Sequence, residues 1–222
     1  MVENAENLKV VLVGESGVGK TSIIAQFTSN TFDPDCVTSL SAQYISKTME
    51  FPNVQKAIKF DIWDTAGQEK YRAIAKIFYK DAKVIVLCYD ITDQKSFDAI
   101  KNYWYNTIKT TGDPDAILAL VANKNDLYNK AAIKDEEGAE YARSIGAIFQ
   151  STSAKSDTGI TTLFENIGQK FFNPNYDIGA EDKKTQEEYE RKKMEEKKKK
   201  KEIKGVQLKS ETQKEKKKKK CC

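Results

Sequence analysis

One octapeptide sets the architecture of this chain: Gly14-Glu15-Ser16-Gly17-Val18-Gly19-Lys20-Thr21. It follows a β-branched run at residues 8–13 and opens a helical pattern at residues 19–27, the context that G-x-x-x-x-G-K-[ST] requires. There, backbone N–H groups converge on phosphate oxygens, and the helix N-terminus adds a favourable dipole. Lys20 is expected to bring its charge to the β and γ phosphates, and the Thr21 hydroxyl to coordinate Mg²⁺. The octapeptide predicts a nucleoside triphosphate site without indicating the base or the reaction.

Beyond this loop, strand-like and helix-like segments alternate. Two extended segments, residues 43–50 and 56–63, flank a turn signal and are expected to form an antiparallel hairpin at one edge of a sheet. The alternation predicts an α/β fold with a mostly parallel, six-stranded sheet covered by helices on both faces. Asp135 is expected to be the N-cap of the helix predicted at residues 135–145. The other predicted strands are residues 84–90, 117–122 and 148–150, and the other helices are residues 95–110, 135–145 and 159–172.

Two short motifs after later strands indicate the base. A carboxylate at Asp126 accepts from both the ring N–H and the exocyclic amine of guanine, whereas adenine leaves it unpaired at a cost of about 1–3 kcal/mol. The Lys124 stem is expected to pack along the base while its ammonium braces the phosphate loop, and the Ala154 N–H is expected to meet the guanine O6. The motifs are Asn123-Lys124-Asn125-Asp126 and Ser153-Ala154-Lys155, and the predicted guanine contacts are Asn123, Lys124, Asp126, Ser153, Ala154 and Lys155.

A third motif, Asp64-Thr65-Ala66-Gly67-Gln68-Glu69, follows the strand at residues 56–63. Asp64 is expected to hold Mg²⁺ through a water. The Gly67 N–H can reach the γ-phosphate because no side chain intervenes. Gln68 is the predicted catalytic residue, since its amide can orient the attacking water for in-line phosphoryl transfer.

In order and spacing, these motifs resemble the Ras superfamily of small GTPases. The resemblance implies a P-loop NTPase G domain at residues 8–173, preceded by an extension at residues 1–7. It also implies a hydroxyl that grips Mg²⁺ and the γ-phosphate in the GTP state. The family's spacing from Thr21 leads to Ser39, with Thr38 as the alternative, and Ser41 replaces a usual glycine. Phe32 matches the aromatic residue that lies over the guanine.

Three further stretches are similar to the Rab branch of that superfamily: residues 62–72, 78–82 and 86–92. The chain also ends in Cys221-Cys222, as many Rabs do, where two geranylgeranyl groups are implied. Two lipid chains give stable membrane attachment, whereas one binds marginally. The lysine run from Lys216 to Lys220 would add attraction to an anionic leaflet. The alternative is a solvated charge run ending in unmodified thiols.

Charge is distributed unevenly over the 222 residues. The net charge is +4, yet residues 181–222 hold 18 Lys and Arg against 10 Asp and Glu, a net charge of +8, which leaves an acidic body. This asymmetry favours a surface-seeking basic tail, assigned to residues 174–222, over a nucleic-acid binder. The tail is expected to be disordered, with a solvated helix as the alternative.

The remaining composition narrows the cellular context. Cys36 and Cys88 are expected to be unpaired thiols, and the chain has no histidine and no Cys/His metal spacing. No apolar stretch approaches the roughly 20 residues of a membrane-spanning helix, and the polar N-terminus is unlike a secretory signal. We expect a monomer at the cytoplasmic face of an intracellular membrane, with a cytosolic pool.

These observations predict a membrane-attached molecular switch that binds GTP or GDP with Mg²⁺, hydrolyses GTP and recruits effectors in vesicle traffic. The resemblance implies an exchange factor, a GTPase-activating protein, an escort protein with geranylgeranyl transferase, and a dissociation inhibitor. One alternative is a GTP-binding membrane scaffold with little or no hydrolysis. A P-loop phosphotransferase is a third possibility, but it conflicts with the guanine motifs and lacks an acceptor site.

Overall fold

A computed structural model describes residues 5–36, 43–65 and 78–176. A six-stranded sheet in the order β2-β3-β1-β4-β5-β6 forms its centre. β2 and β3 run antiparallel, and the other neighbouring pairs are parallel. The predicted α/β class, strand number and antiparallel edge are confirmed. The strands are β1 (Ala5–Val13), β2 (Gln43–Phe51), β3 (Lys56–Asp64), β4 (Val84–Asp90), β5 (Ile117–Asn123) and β6 (Ile148–Ser151).

Helices cover both faces of the sheet. Their bounds are α1 (Lys20–Ser29), α2 (Gln94–Ala99), α3 (Tyr105–Thr111), α4 (Asp135–Ser144) and α5 (Ile160–Phe172). A π-helical turn, Ile100–Trp104, joins α2 to α3, and 3₁₀ turns lie at Pro52–Val54 and Asn125–Lys130. Among the described residues, none of the helices has the length and apolarity needed to cross a bilayer.

The core explains why the central strands read as continuous apolar runs. All seven residues of β4 are buried, because helices pack on both of its faces. On one face, the rings of Phe27 from α1 and Phe164 from α5 stack at 3.6 Å between centroids, and Phe60 meets Phe164 edge-on at 5.3 Å. On the other face, Trp104 is fully buried among residues of β4 and β5.

Several element boundaries differ from the sequence-based predictions. β1 begins at Ala5, inside the expected extension, because residues from Ala5 onward pair with β3. The prediction that Asp135 caps α4 is wrong: the N-cap is Lys134, without a side-chain hydrogen bond, and Asp135 lies in the first turn. An acidic first turn still stabilises a helix through its dipole. The compact unit containing all described residues ends at Tyr176.

A close contact between α5 and the β2–β3 turn gives a stability prediction. A Cβ at Gly168 would collide with the ring of Phe51, which is 3% exposed and packs edge-on against Phe172 at 5.5 Å. Gly168→Ala should therefore lower the free energy of unfolding by about 1–3 kcal/mol, the usual cost of overpacking. Thr161→Ala, on the exposed side of the same helix, is the matched control. Urea unfolding that finds Gly168→Ala as stable as Thr161→Ala would contradict this packing.

Candidate functional site

The carboxyl ends of the strands meet at one edge of the sheet, where ligands bind in open α/β folds. The predicted phosphate loop leaves β1 there, with Ser16 and Gly17 exposed. Gly14 has a φ of +144°, and a Cβ on it would collide with the Cys88 carbonyl of β4. Gly19 has a φ of +95° and lies against the Asn123 amide. Side chains at these two positions would push the loop off the strands that support it.

Lys20 lies at the start of α1, beneath this loop, and is 5% exposed. Its ammonium donates to the carbonyls of Gly14 and Glu15, both at 2.9 Å. Burial lowers the pKa of Lys20, while the charges of Asp64 and Glu15 oppose that shift. The neighbouring Cys88 thiol stays protonated at neutral pH because burial raises its pKa to about 12. The site therefore holds a buried lysine whose charged form an anionic ligand would favour.

Two of the predicted magnesium ligands, Thr21 and Asp64, are among the described residues, and they lie together. The Thr21 hydroxyl donates to the Asp64 carboxylate at 2.6 Å, and Asp64 is 1% exposed at the end of β3. Thr65 fixes the strand end, because its hydroxyl donates to the Leu12 carbonyl at 2.6 Å. A hydroxyl and a carboxylate are hard oxygen ligands of the kind Mg²⁺ prefers, and Mg²⁺ usually retains several waters beside them. The residues present fit the ion.

A cavity of about 290 Å³ opens beside the phosphate loop. Its volume is close to the lower end of the range for small-molecule sites. Phe32, predicted to lie over the base, is 38% exposed at its edge. The cavity brings together phosphate-loop residues and both predicted base motifs: its lining includes Gly17, Gly19, Phe32, Asn123, Lys124, Asp126, Ala154 and Lys155.

Asp126 lines this cavity, and Ser153 holds its carboxylate. The Ser153 hydroxyl donates to the Asp126 carboxylate at 2.6 Å and accepts from the Ser156 backbone N–H at 3.1 Å. Ser153 is fully buried, so its hydroxyl supports the Asp126 carboxylate and does not face the cavity. One oxygen of the carboxylate is thereby oriented by the protein.

Asn123 lines the cavity and also makes contacts that its motif does not indicate. Its amide N–H donates to the Val18 carbonyl at 2.7 Å, and its carbonyl oxygen accepts from the Thr152 hydroxyl at 3.1 Å. Asn123 is 1% exposed. The amide therefore ties the phosphate loop to the loop after β6, and only part of it is available to the cavity.

Lys124 makes a second connection between the Asn123–Asp126 motif and the predicted phosphate loop. Its ammonium donates to the Gly17 carbonyl at 2.8 Å and pairs with the Asp90 carboxylate at 2.7 Å. The other carboxylate oxygen of Asp90 accepts from the Thr92 N–H and hydroxyl at 2.8 and 2.7 Å. Sequence reasoning missed Asp90. Its position at the carboxyl end of β4, beside Asn123 of β5, could have indicated that it belongs to the site.

Asp90→Asn gives a test of this connection. Asparagine keeps the size of the side chain and an acceptor for Thr92 but removes the charge facing Lys124. Allowing for the partial exposure of Lys124, we expect GDP to dissociate about tenfold faster, as measured with a fluorescent GDP analogue. Asp98→Asn, which removes an exposed carboxylate from α2, should leave the rate unchanged. Equal rates in all three proteins would show that Asp90 does not support nucleotide binding.

Several predicted residues lie outside the described part of the chain. Gly67 and Gln68 fall in residues 66–77, and Thr38, Ser39 and Ser41 fall in residues 37–42. The lysine run from Lys216 to Lys220 and the cysteines Cys221 and Cys222 follow residue 176. Within the described residues, no disulfide joins the exposed Cys36 to the buried Cys88.

A glycine-rich loop on β1, a lysine beneath it, and a carboxylate-bearing cavity across the strand ends define a P-loop nucleotide-binding domain. The Ras family model matches residues 9–173. Human Rab-22A is 39% identical over 163 residues, which cover 73% of this chain and 82% of that protein. Human Rab-31 is 39% identical with the same coverage, and RabC of Dictyostelium discoideum is 37% identical over 72% of this chain and 82% of its own length.

The chain belongs to the Ras family and, within it, to the Rab small GTPases. It is therefore a GTP hydrolase of the class that acts as a switch in vesicle traffic. Members of the Ras family bind guanine nucleotide and Mg²⁺, and Rabs work with regulators and effectors on intracellular membranes. The family's nucleotide and Mg²⁺ binding agrees with the cavity and the Thr21–Asp64 pair at the carboxyl edge of the sheet.

Proposed function

We propose that the cavity binds GTP or GDP, with the base against Asp126 and the phosphates on the loop from Glu15 to Thr21. The observation that supports this proposal is a pair of hydrogen bonds between the two ends of the site. The Lys124 ammonium donates to the Gly17 carbonyl, and the Asn123 amide donates to the Val18 carbonyl. The loops that bind the base and the phosphates would thus hold each other in position. The remaining proposed residues of the base site are Phe32, Asn123, Lys124, Ala154 and Lys155, which would contact the base, and Ser153, which would hold Asp126 in position.

We further propose that Thr21, Asp64 through a water, and Ser39 or Thr38 hold Mg²⁺ in the GTP state. The bound ion would neutralise charge on the β and γ phosphates. Gly67 would donate its N–H to the γ-phosphate, and loss of that phosphate would release the contacts of residues 32–44 and 66–78.

Gln68 is the proposed catalytic residue, positioned to orient the attacking water. Single-turnover hydrolysis of GTP by the wild type, without helper proteins, should be slow, on the order of 10⁻⁴ s⁻¹. An activating protein should accelerate the wild type but not Gln68→Leu. If neither protein hydrolyses GTP measurably, even with candidate activating proteins, the result would favour the alternative of a GTP-binding scaffold with little or no hydrolysis.

An aromatic surface supports the proposal that the GTP form recruits effectors. Tyr44 of β2 is 50% exposed and its ring lies 5.3 Å from that of Trp63 of β3. Trp63 lies 5.5 Å from the ring of Phe78. These residues flank residues 37–42 and 66–77, so an effector covering them would also sense the nucleotide-dependent segments.

We propose that geranylgeranyl groups on Cys221 and Cys222 attach the protein to the cytoplasmic face of an intracellular membrane, aided by Lys216 to Lys220. A geranylgeranyl transferase with an escort protein would add the groups, a dissociation inhibitor would maintain a cytosolic pool, and an exchange factor would load GTP. Fractionation of cells expressing the full chain or a chain lacking both cysteines tests this attachment. Equal membrane fractions would refute it.

A further inference from the structure

The helix that packs behind the phosphate loop is not a regular α-helix. Between α2 and α3 it takes a π-helical turn, Ile100–Trp104, in which the Tyr105 N–H donates to the Ile100 carbonyl. Such single turns widen the helix by one residue and occur frequently at functional sites. The turn ends at Trp104, one of the two tryptophans of the chain.

Trp104 reaches the phosphate loop through its polar atom. Its indole N–H donates to the Glu15 carboxylate at 3.0 Å, across 89 residues of sequence. The side chain of Trp104 is fully buried in the core formed with β4 and β5. A buried tryptophan needs an acceptor for its N–H, and a carboxylate gives a stronger hydrogen bond than a neutral group.

Glu15 connects this contact to the phosphate-binding lysine. Its backbone carbonyl accepts from the Lys20 ammonium at 2.9 Å, while its carboxylate accepts from Trp104. One residue of the loop is thus held at both its main chain and its side chain. Any movement of Glu15 away from Trp104 would also displace an acceptor of Lys20.

We propose that Trp104 is a positioning residue for the phosphate loop: its indole N–H fixes Glu15, and through Glu15 it holds the loop and Lys20 in the geometry that retains nucleotide. Trp104 lies behind the loop and does not line the cavity, so this role is exerted through Glu15. The inference rests on the proposed nucleotide site. It adds a contact from the helix face that neither the nucleotide motifs nor the resemblance includes.

The sharpest test removes only the N–H. Replacing Trp104 by benzothienylalanine substitutes sulfur for the indole N–H and keeps the bicyclic ring, so packing is preserved. Release of a fluorescent GDP analogue from the full chain should become about three- to tenfold faster, because a hydrogen bond to a charged acceptor is lost. Glu15→Gln, which weakens the same bond from the other side, should accelerate release as well.

A double-mutant cycle separates a direct link from two unrelated effects. Because the two changes break one bond, release from the doubly altered protein should be no faster than from the more affected single variant. Tyr105→Phe, which removes a hydroxyl from the next residue of the same helix, should release GDP at the wild-type rate. The far-UV circular dichroism spectrum of the benzothienylalanine protein should match the wild type, which distinguishes positioning from a general loss of structure.

The outcomes distinguish this inference from the function on which it rests. If the wild type retains GDP and the benzothienylalanine protein releases it equally slowly, or if the two effects multiply independently, Trp104 has no positioning role and the nucleotide site stands. If the wild type itself retains no GDP, the proposed function and this inference both fall.

Discussion

Lys20→Ala is expected to weaken binding of GDP and GTP by about 10²- to 10³-fold, since truncating one partner of a buried charge pair costs about 2–5 kcal/mol. Lys20 is 5% exposed, and burial lowers its pKa, so the folded protein bears a desolvation cost to keep this cation at the site. Nucleotide phosphates would offset that cost. The nucleotide-free variant should accordingly be at least as stable as the nucleotide-free wild type.

Equilibrium competition against a fluorescent GDP analogue measures this effect. Lys83→Ala is the matched control, because it removes the same charge from an exposed lysine before the start of β4, paired with Asp113 at 2.8 Å. It should bind nucleotide as the wild type does. An affinity of Lys20→Ala within threefold of the control would mean that the phosphates lie elsewhere.

Asp126→Asn is expected to remove most of the preference for guanine. The carboxylate can accept from both the ring N–H and the exocyclic amine, whereas asparagine turns one acceptor into a donor that faces a donor. The buried mismatch should lower GDP affinity about 10²-fold and leave ADP affinity almost unchanged. The Ser153 hydroxyl, 2.6 Å from Asp126, can still donate to the amide oxygen, so the loop should remain in place.

Competition by GDP and ADP against one fluorescent analogue gives the two affinities for each protein. Asp157→Asn, which alters an exposed acid in the loop after β6, should keep the wild-type ratio. Were Asp126→Asn to discriminate between GDP and ADP as well as this control does, guanine would have to be recognised by other groups.

The parts of the site that sequence could predict are those carried by short motifs. The roles predicted for Lys20 and Asp126 follow from local pattern and from their place after a strand, and residues of both motifs line one cavity. The fold could also be predicted from local pattern, because buried strands appear in the sequence as apolar runs: β4 carries no charged residue before Asp90, and all seven of its residues are buried.

The supporting contacts could not be predicted, because they join residues far apart in sequence. Asp90 reaches Lys124 only through the pairing of β4 with β5, and Trp104 reaches Glu15 across the core. The cap prediction failed for a local reason: Asp135 matches the residue preference of an N-cap, but the N-cap lies one residue earlier, at Lys134. Residue type alone does not fix a boundary to one position.

The nucleotide carried by the purified full chain tests the central claim most directly. Protein prepared with Mg²⁺ and then heat-denatured should release GDP or GTP in near-equimolar amount on chromatography. Prior chelation of Mg²⁺ should reduce that amount, and excess ATP during preparation should not displace it. A chain that yields no guanine nucleotide, or that exchanges it for ATP as readily as for GTP, would contradict the account.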